Sequence, residues 1–234
     1  MLHDGDKVAV GVSGGKDSLV LLEALVRLRR FAGIDYTVSA VSIDPGFGGE
    51  ETDYSAVEEL CAALGVPYLI KRTKIAEVVF DIRNENNPCS LCAKMRRGVL
   101  HEATLEMGCN VLALGHNFND VVETFVMNLF NNAHLGCFAP SSYLTRRKLY
   151  VIRPLCLVPE KEVVRVAEAE GLPVVKSKCP ADGHTSREDT KQFILEMDRK
   201  APGFPEKLFG AMRRADINGW GLSDIPNRHN ERKN

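Results

Sequence analysis

The chain has 234 residues, a formal net charge of −1 and 44% hydrophobic residues. Its length suits one α/β domain with additions or two small units, and its hydrophobic content excludes an intrinsically disordered chain. No run approaches the roughly 18 apolar residues of a membrane span, and the start lacks the organisation of a signal peptide, so we expect a cytoplasmic protein without a membrane partner.

Short β-branched apolar runs alternate with amphipathic segments along most of the chain. The runs at 7–13, 36–44, 67–72, 110–115 and 149–155 predict strands, and the segments at 19–30, 53–65, 93–108, 119–132 and 160–171 predict helices. This alternation predicts the α/β class, with a doubly wound, five-stranded parallel sheet. From about residue 186 onward the sequence predicts mainly helix. We therefore expect a domain at 1–185 and a helical C-terminal appendage with a polar tail at 186–234.

The loop between the first strand and the first helix combines glycines, hydroxyls and a charged pair. Its residues are Ser13, Gly14, Gly15, Lys16, Asp17 and Ser18. Backbone N–H groups and the helix dipole favour an anion at this position, and glycines let the backbone approach phosphate oxygens. The loop is not a Walker A motif, because Asp17 separates Lys16 from Ser18. We favour a phosphate-binding loop over a plain turn, with Asp17 holding Mg²⁺ or orienting the loop.

This loop resembles the pyrophosphate loop of the N-type ATP pyrophosphatases, which share an adenine nucleotide alpha hydrolase-like fold. Such enzymes cleave ATP between its α- and β-phosphates and leave AMP on a substrate oxygen. The resemblance implies that Lys16 and Asp17 belong to the catalytic machinery. It also implies that the end of the second strand lies by the adenine of ATP; the corresponding residues here are Ser42, Ile43 and Asp44.

A second block, LGHNFNDVVET at 114–124, follows the fourth predicted strand. By resemblance, Gly115 and His116 face the nucleotide, and Asp120 is a catalytic residue near the metal or the reacting group. The residues themselves leave other interpretations open. Asp120 could cap the next helix, and His116 could be a general base or a hydrogen-bonded loop histidine.

The cysteines fall into two groups. Cys61, Cys109, Cys137 and Cys156 lie among apolar or small neighbours and are expected to be small buried hydrophobic residues. The remaining cysteines, Cys89, Cys92 and Cys179, have polar neighbours, where we expect loops. Because a Cys-x-x-Cys pair alone fits half a zinc site, a redox dithiol or part of an iron–sulfur site, the pair by itself does not choose among these.

The spacing of these three cysteines resembles that of the tRNA 2-thiocytidine synthetase family, as do the segments at 89–100, 112–130, 150–155 and 202–212. The resemblance implies that Cys89, Cys92 and Cys179 hold a 4Fe–4S cluster with one iron free of protein thiolate. It implies an ATP- and Mg²⁺-dependent sulfurtransferase that adenylates the C2 oxygen of a tRNA pyrimidine, cytidine 32, and replaces it with sulfur. In the family a second cysteine stands where this chain has Asp182, which is either a ligand or a turn cap.

Partners follow from the same resemblance. Lys94, Arg96 and Arg97 come directly after the cysteine pair, and we expect them to bind tRNA phosphates, although a solvated helix face is the alternative. The sulfur donor would be a cysteine desulfurase or free sulfide. Family members are often homodimers, but no sequence feature shows an interface here.

Four other functions compete with this one. A thiouracil desulfidase would need the cysteines but no ATP, and lysidine-type amidation would need ATP but no cluster. The related 2-thiouridine synthetases carry zinc-finger cysteines at their ends, and this sequence has none. The last alternative is a non-catalytic redox or iron-sensing module.

Overall fold

The fold is built around one twisted sheet with helices on both faces. The computed structural model describes residues 1–83, 88–176, 178–180 and 186–221. The sheet has six strands in the order β3-β2-β1-β4-β6-β5. The strands are β1 (Asp6–Gly11), β2 (Tyr36–Asp44), β3 (Tyr68–Arg72), β4 (Val111–Ala113), β5 (Ser141–Leu144) and β6 (Leu149–Ile152).

The sheet differs from the expected one at its edge. The five predicted strands are present and parallel, but β5 adds a sixth that pairs antiparallel with β6, with Ser142 opposite Val151. The prediction missed β5 because its four residues, SSYL, are too few and too polar to show the alternation of a half-buried strand.

The helices are α1 (Lys16–Leu28), α2 (Ser55–Ala63), α3 (Pro88–Glu106), α4 (Phe118–Asn132), α5 (Glu160–Ala169), α6 (Ser186–Lys200) and α7 (Phe204–Arg214). Side chains of β1 alternate between two cores: Val8 and Val10 pack with α1, α2 and α5, whereas Ala9 packs with α3 on the other face. A π-helical turn (Glu77–Ile82) adds Val79 to the second core.

The last two helices pack on α4, not on the sheet. Met212 of α7 joins Val121 and Phe125 of α4 in one buried cluster, and Ile194 of α6 joins Val122 in another. The proposed boundary between residues 185 and 186 stays a prediction. Within the described ranges, every helix is too short or too polar to cross a bilayer.

Candidate active site

A cavity of about 510 Å³ opens where β1, β2 and β4 end. In doubly wound sheets this edge, beside the point where strand order reverses, is where ligands bind. The predicted site residues that line it are Ser13, Asp17, Ser18, Ile43, Arg96, Arg97, Gly115 and His116. The phosphate loop, the turn after β4 and helix α3 therefore share one cavity, but Cys89, Cys92 and Cys179 are not among its lining residues.

The glycine-rich loop is shaped by its own hydroxyls and by a close neighbour. Ser18 Oγ donates to the carbonyl of Gly15 (2.8 Å) and accepts from the N–H of Ser13 (3.1 Å). Gly14 has φ +85°, and a Cβ there would lie 2.9 Å from the Cβ of Val175. The loop is thus held with Ser13, Asp17 and Ser18 at the cavity, where the N-terminus of α1 favours an anion.

Lys16 and Asp17 are already engaged with partners. Lys16 Nζ lies 3.1 Å from Asp17 Oδ2 and 2.9 Å from Glu160 Oε1 at the start of α5. Burial alone would lower the pKa of Lys16, but the hydrogen bond to Glu160 and the charge of Asp17 raise it above its ordinary value. The ammonium is therefore charged, and its side chain has a defined place beside the loop.

Asp120 is part of the N-terminal cap of α4 and is linked to the phosphate loop through Asn117. Its Oδ2 accepts from the N–H of Asn117 (2.9 Å), and its own N–H donates to Asn117 Oδ1 (3.1 Å), which forms a capping box. Asn117 Nδ2 then donates to Asp17 Oδ1 (2.8 Å). A cap is therefore present, but its N-cap residue is Asn117, and Asp120 is the third helical residue that completes the box. The hydrogen bond from Asn117 to Asp17 also ties this cap to the phosphate loop.

Besides Arg153 of the cavity wall, three charged residues of α5 and α6 were missed by the sequence prediction. Arg187 Nη1 of α6 donates to Asp120 Oδ1 (2.7 Å), and Lys191 Nζ lies 3.0 Å from Glu160 Oε2. The third is Glu160 itself. Nothing in the sequence marked these side chains, because they reach the loop only through the packing of α5 and α6 around it.

The three residues predicted to lie by the adenine, at the end of β2, differ in whether they line the cavity. Ile43 lines the cavity. Ser42 Oγ is buried and donates to the carbonyl of Val12 (2.6 Å). Asp44 is also buried and accepts from Gly46 N–H (3.1 Å) and from Thr52 N–H (2.8 Å). Of the three, Ile43 alone lines this cavity, and the other two shape the end of β2.

Gly115 allows two backbone segments to approach each other closely. A Cβ at this position would lie 2.8 Å from the backbone carbonyl carbon and oxygen of Asp17, closer than real Cβ atoms come. A larger residue would therefore push the turn after β4 away from the start of α1. The glycine is needed for this close approach of two backbones.

His116 is part of an aromatic and cationic cluster at the cavity wall. Its ring centroid lies 4.7 Å from that of Phe138, and the guanidinium of Arg153 lies 4.8 Å from the same Phe138 ring. Burial, helped by the charge of Arg153, lowers the pKa of His116 to about 3, so the imidazole is neutral near pH 7. A base this weak is poorly matched to general-base catalysis at that pH.

The three predicted cluster cysteines converge near the cavity. Cys89 and Cys92 lie in the first turns of α3 and not in a loop as expected, and Ala93, the next residue, lines the cavity. Cys179 packs against the core cluster that contains Cys92. Burial raises the pKa of the Cys92 thiol, and nearby Cys179 and Cys89 act in the same direction while Arg96 opposes them.

Their chemistry suits an iron–sulfur cluster. Cysteine thiolates are the usual ligands of such clusters, and Cys89 and Cys179 are close enough to Cys92 to affect its pKa. Asp182 lies outside the described residues.

The four remaining cysteines behave as predicted. All four are buried. Burial raises the pKa of Cys61 to about 11, that of Cys156 to about 11 and that of Cys137 to about 12, which keeps these thiols protonated and unreactive.

The predicted RNA-binding residues divide between two faces of α3. Arg96 and Arg97 line the cavity, whereas Lys94 is exposed and outside its wall. The arginines lie about one turn beyond Cys92 on α3 and line the cavity together with Ser13, Asp17 and Ser18 of the phosphate loop. Their role in binding tRNA stays a prediction.

Comparison with known proteins agrees with this geometry. A family model described as a PP-loop domain matches residues 3–197. A tRNA-cytidine(32) 2-sulfurtransferase of Syntrophotalea carbinolica is 38% identical over 215 residues, covering 91% of this chain and 82% of that protein. Its counterpart in Geobacter sulfurreducens is 35% identical over 235 residues, covering 97% of this chain and 91% of that protein.

A solved structure extends the match to three dimensions. The U34-tRNA thiolase NcsA from Methanococcus maripaludis, with its [4Fe-4S] cluster, superposes with a TM-score of 0.76 at 29% identity, covering 92% of this chain and 72% of that one. The family resemblance drawn from the loop and the cysteine spacing is confirmed. The chain belongs to the tRNA-cytidine(32) 2-sulfurtransferase family of PP-loop enzymes.

Proposed function

We propose that this chain is a cytoplasmic, ATP-dependent and iron–sulfur-dependent tRNA thiolase that exchanges the C2 oxygen of cytidine 32 for sulfur. One observation carries the proposal: α3 brings Cys89 and Cys92 next to Arg96 and Arg97, which line the same cavity as the phosphate loop. An ATP site and a sulfur-delivery site are thereby joined by one helix. The thiolase in the solved comparison structure has the same combination of fold and cluster.

The first half of the reaction makes the oxygen a good leaving group. The C2 oxygen attacks the α-phosphorus of ATP, a new oxygen–phosphorus bond forms, and pyrophosphate leaves. We assign Lys16 and the N–H groups at the start of α1 to the charge on that pyrophosphate, because the loop brings an ammonium group and a helix N-terminus together. Asp17 and Asp120 supply hard carboxylate oxygens suited to Mg²⁺.

The second half places sulfur on C2 and releases AMP. A 4Fe–4S cluster held by Cys89, Cys92 and Cys179 would supply an iron without a protein thiolate, which could bind sulfide. The sulfide sulfur would bond to C2 as the bond from C2 to the AMP oxygen breaks. Sulfur from a desulfurase persulfide would first need reduction to sulfide by a thiol reductant. Ile43 and Phe138 form part of the cavity wall and would keep water from the adenylated base. Arg96 and Arg97 would hold the tRNA phosphates at the mouth. A homodimer stays a prediction.

The reaction can be tested directly with anaerobically reconstituted protein. We expect ATP, sulfide and a tRNA transcript with cytidine 32 to give 2-thiocytidine in nucleoside mass spectrometry, with AMP and pyrophosphate in equal amounts. A transcript with uridine 32 should give no thionucleoside. Thiolation of uridine instead would indicate a 2-thiouridine synthetase, and ATP-independent release of sulfide from thiouracil would indicate a desulfidase.

The arginines of α3 give a separate prediction about tRNA. Reversing Arg96 and Arg97 to Glu should weaken tRNA binding, and the effect should shrink as salt rises, because phosphate contacts release counterions. The slope of log K against log salt should fall by about 1 for each phosphate that the variant no longer neutralises. Titration of labelled tRNA at several salt concentrations measures both effects.

Lys94 provides a matched control on the same helix. Lys94→Glu reverses one charge on a face of α3 that does not line the cavity, so we expect a much smaller change in affinity. Equal reductions in affinity for Lys94→Glu and the double variant would mean a diffuse field effect and not specific contacts at the mouth.

A further inference from the structure

Polar and charged residues beside the phosphate loop form a ring of six hydrogen bonds and ion pairs that the backbone of α6 completes. It joins the first turn of α1, the N-terminus of α4, the start of α5 and one face of α6. In order around the ring the residues are Lys16, Asp17, Asn117, Asp120, Arg187, Lys191 and Glu160. Arg187 and Lys191 are two cations four residues apart on α6, so the helix and not an ion pair connects them.

Glu160 has a special place in this ring because its two oxygens bind two ammonium groups. Oε1 lies 2.9 Å from Lys16 Nζ and Oε2 lies 3.0 Å from Lys191 Nζ. The backbone N–H of Glu160 donates to Asn119 Oδ1 (2.9 Å), which fixes the start of α5 to the turn that carries the ATP-site residues. The carboxylate is therefore held from both sides.

A lysine needs such support because its flexible four-carbon stem allows many positions for the ammonium. Lys16 gains two fixed anchors, Asp17 and Glu160, and an ammonium has three N–H donors. Two donors are thus taken by the protein, which leaves one for a phosphate oxygen. A lysine held in this way stabilises charge that develops in the transition state without having to reorganise.

We propose that Glu160 is a positioning residue for the ATP-dependent step, and that Lys191 acts through it. Glu160 holds the ammonium of Lys16 where the pyrophosphate group leaves, and Lys191 holds Glu160. Helix α6, outside the region of the motifs, thereby becomes part of the nucleotide site. The inference rests on the proposed function in one respect: the test that measures AMP formation presupposes that the protein adenylates tRNA. The test of Lys16 reactivity does not.

Removing Glu160 should separate binding from chemistry. Glu160→Ala deletes a negative charge near the polyphosphate, so the dissociation constant for ATP should stay the same or tighten up to several-fold. The rate of AMP formation at saturating ATP should fall about 10- to 100-fold, because Lys16 is no longer held in one place. A residue that served only folding would weaken ATP binding and slow the reaction together.

A double-mutant cycle tests the role assigned to Lys191. We expect Lys191→Ala to slow AMP formation less than Glu160→Ala does. The double variant should be no slower than Glu160→Ala, since residues acting in one chain are not additive. Additive effects on the rate would mean that Lys191 acts independently and would overturn that part of the proposal.

A second readout does not depend on tRNA thiolation. The reactivity of the Lys16 amine toward an acylating reagent, measured by peptide mass spectrometry, should rise several-fold in Glu160→Ala because the amine loses an anchor. Glu162→Ala, a change of the same type in the same helix whose side chain pairs with Arg165, is the matched control and should leave reactivity and rate unchanged.

The possible results separate the two proposals. Wild-type protein that makes no thionucleoside, combined with higher Lys16 reactivity in Glu160→Ala, would overturn the proposed function and support the role of Glu160. Unchanged reactivity together with an unchanged rate of AMP formation would overturn the positioning role and leave the proposed function standing.

Discussion

Replacing Cys89 with alanine should abolish both the iron–sulfur cluster and tRNA thiolation while the fold keeps its stability. Anaerobically prepared wild-type protein should hold about four irons and four sulfides per chain, and Cys89→Ala close to none. Two remaining thiolates seldom retain a cubane. Because the Cys89 side chain is exposed, its removal disturbs little packing, which makes it a cleaner test than the buried Cys92.

Cys61→Ala is the matched control for this experiment. Cys61 lies in the buried core on the opposite face of the sheet, so its truncation should cost on the order of 1 kcal/mol of unfolding free energy and leave iron content unchanged. Iron and sulfide analysis, absorbance in the iron–sulfur bands and thermal unfolding give the three readouts. Full thiolation by a protein that holds one zinc ion and no iron would contradict the sulfur-transfer mechanism.

Replacing Lys16 with alanine should slow AMP formation by about 10²- to 10³-fold, the effect typical of removing one donor that stabilises developing charge. The cluster absorbance should stay intact, because the loop and the cysteines are separate binding units. The measurement is single-turnover AMP release with tRNA at limiting and at saturating ATP. A slower rate at both concentrations would place the effect in the transition state.

Lys7→Ala serves as the control for Lys16→Ala. Lys7 is an exposed lysine on the same strand that leads into the loop, at the end of β1 remote from the cavity. The Lys7→Ala variant should therefore form AMP at the wild-type rate. Wild-type turnover by Lys16→Ala at limiting ATP would mean that the loop does not bind the phosphates through this lysine.

Local patterns predicted the parts of this protein that local forces determine. The strand–loop–helix position of the phosphate loop and the helix cap that includes Asp120 could be inferred directly, since both depend on residues close in sequence. The helical position of Cys89 was missed because Pro, Ser and Cys near a helix start resemble loop composition. Glu160 was missed for another reason: its partners, Lys16 and Lys191, are brought to it only by tertiary packing.

The antiparallel strand β5 bears on how copies of this protein could associate. Its turn back to β6 exposes Arg146 and Lys148, so the outer edge of the sheet is short and positively charged at one end. A short edge offers few hydrogen bonds to a second sheet, and the charges beside it oppose any pairing in which the two turns meet; both are recognised defences against edge-to-edge aggregation. We therefore expect continuous sheet formation across two copies to be disfavoured at β5.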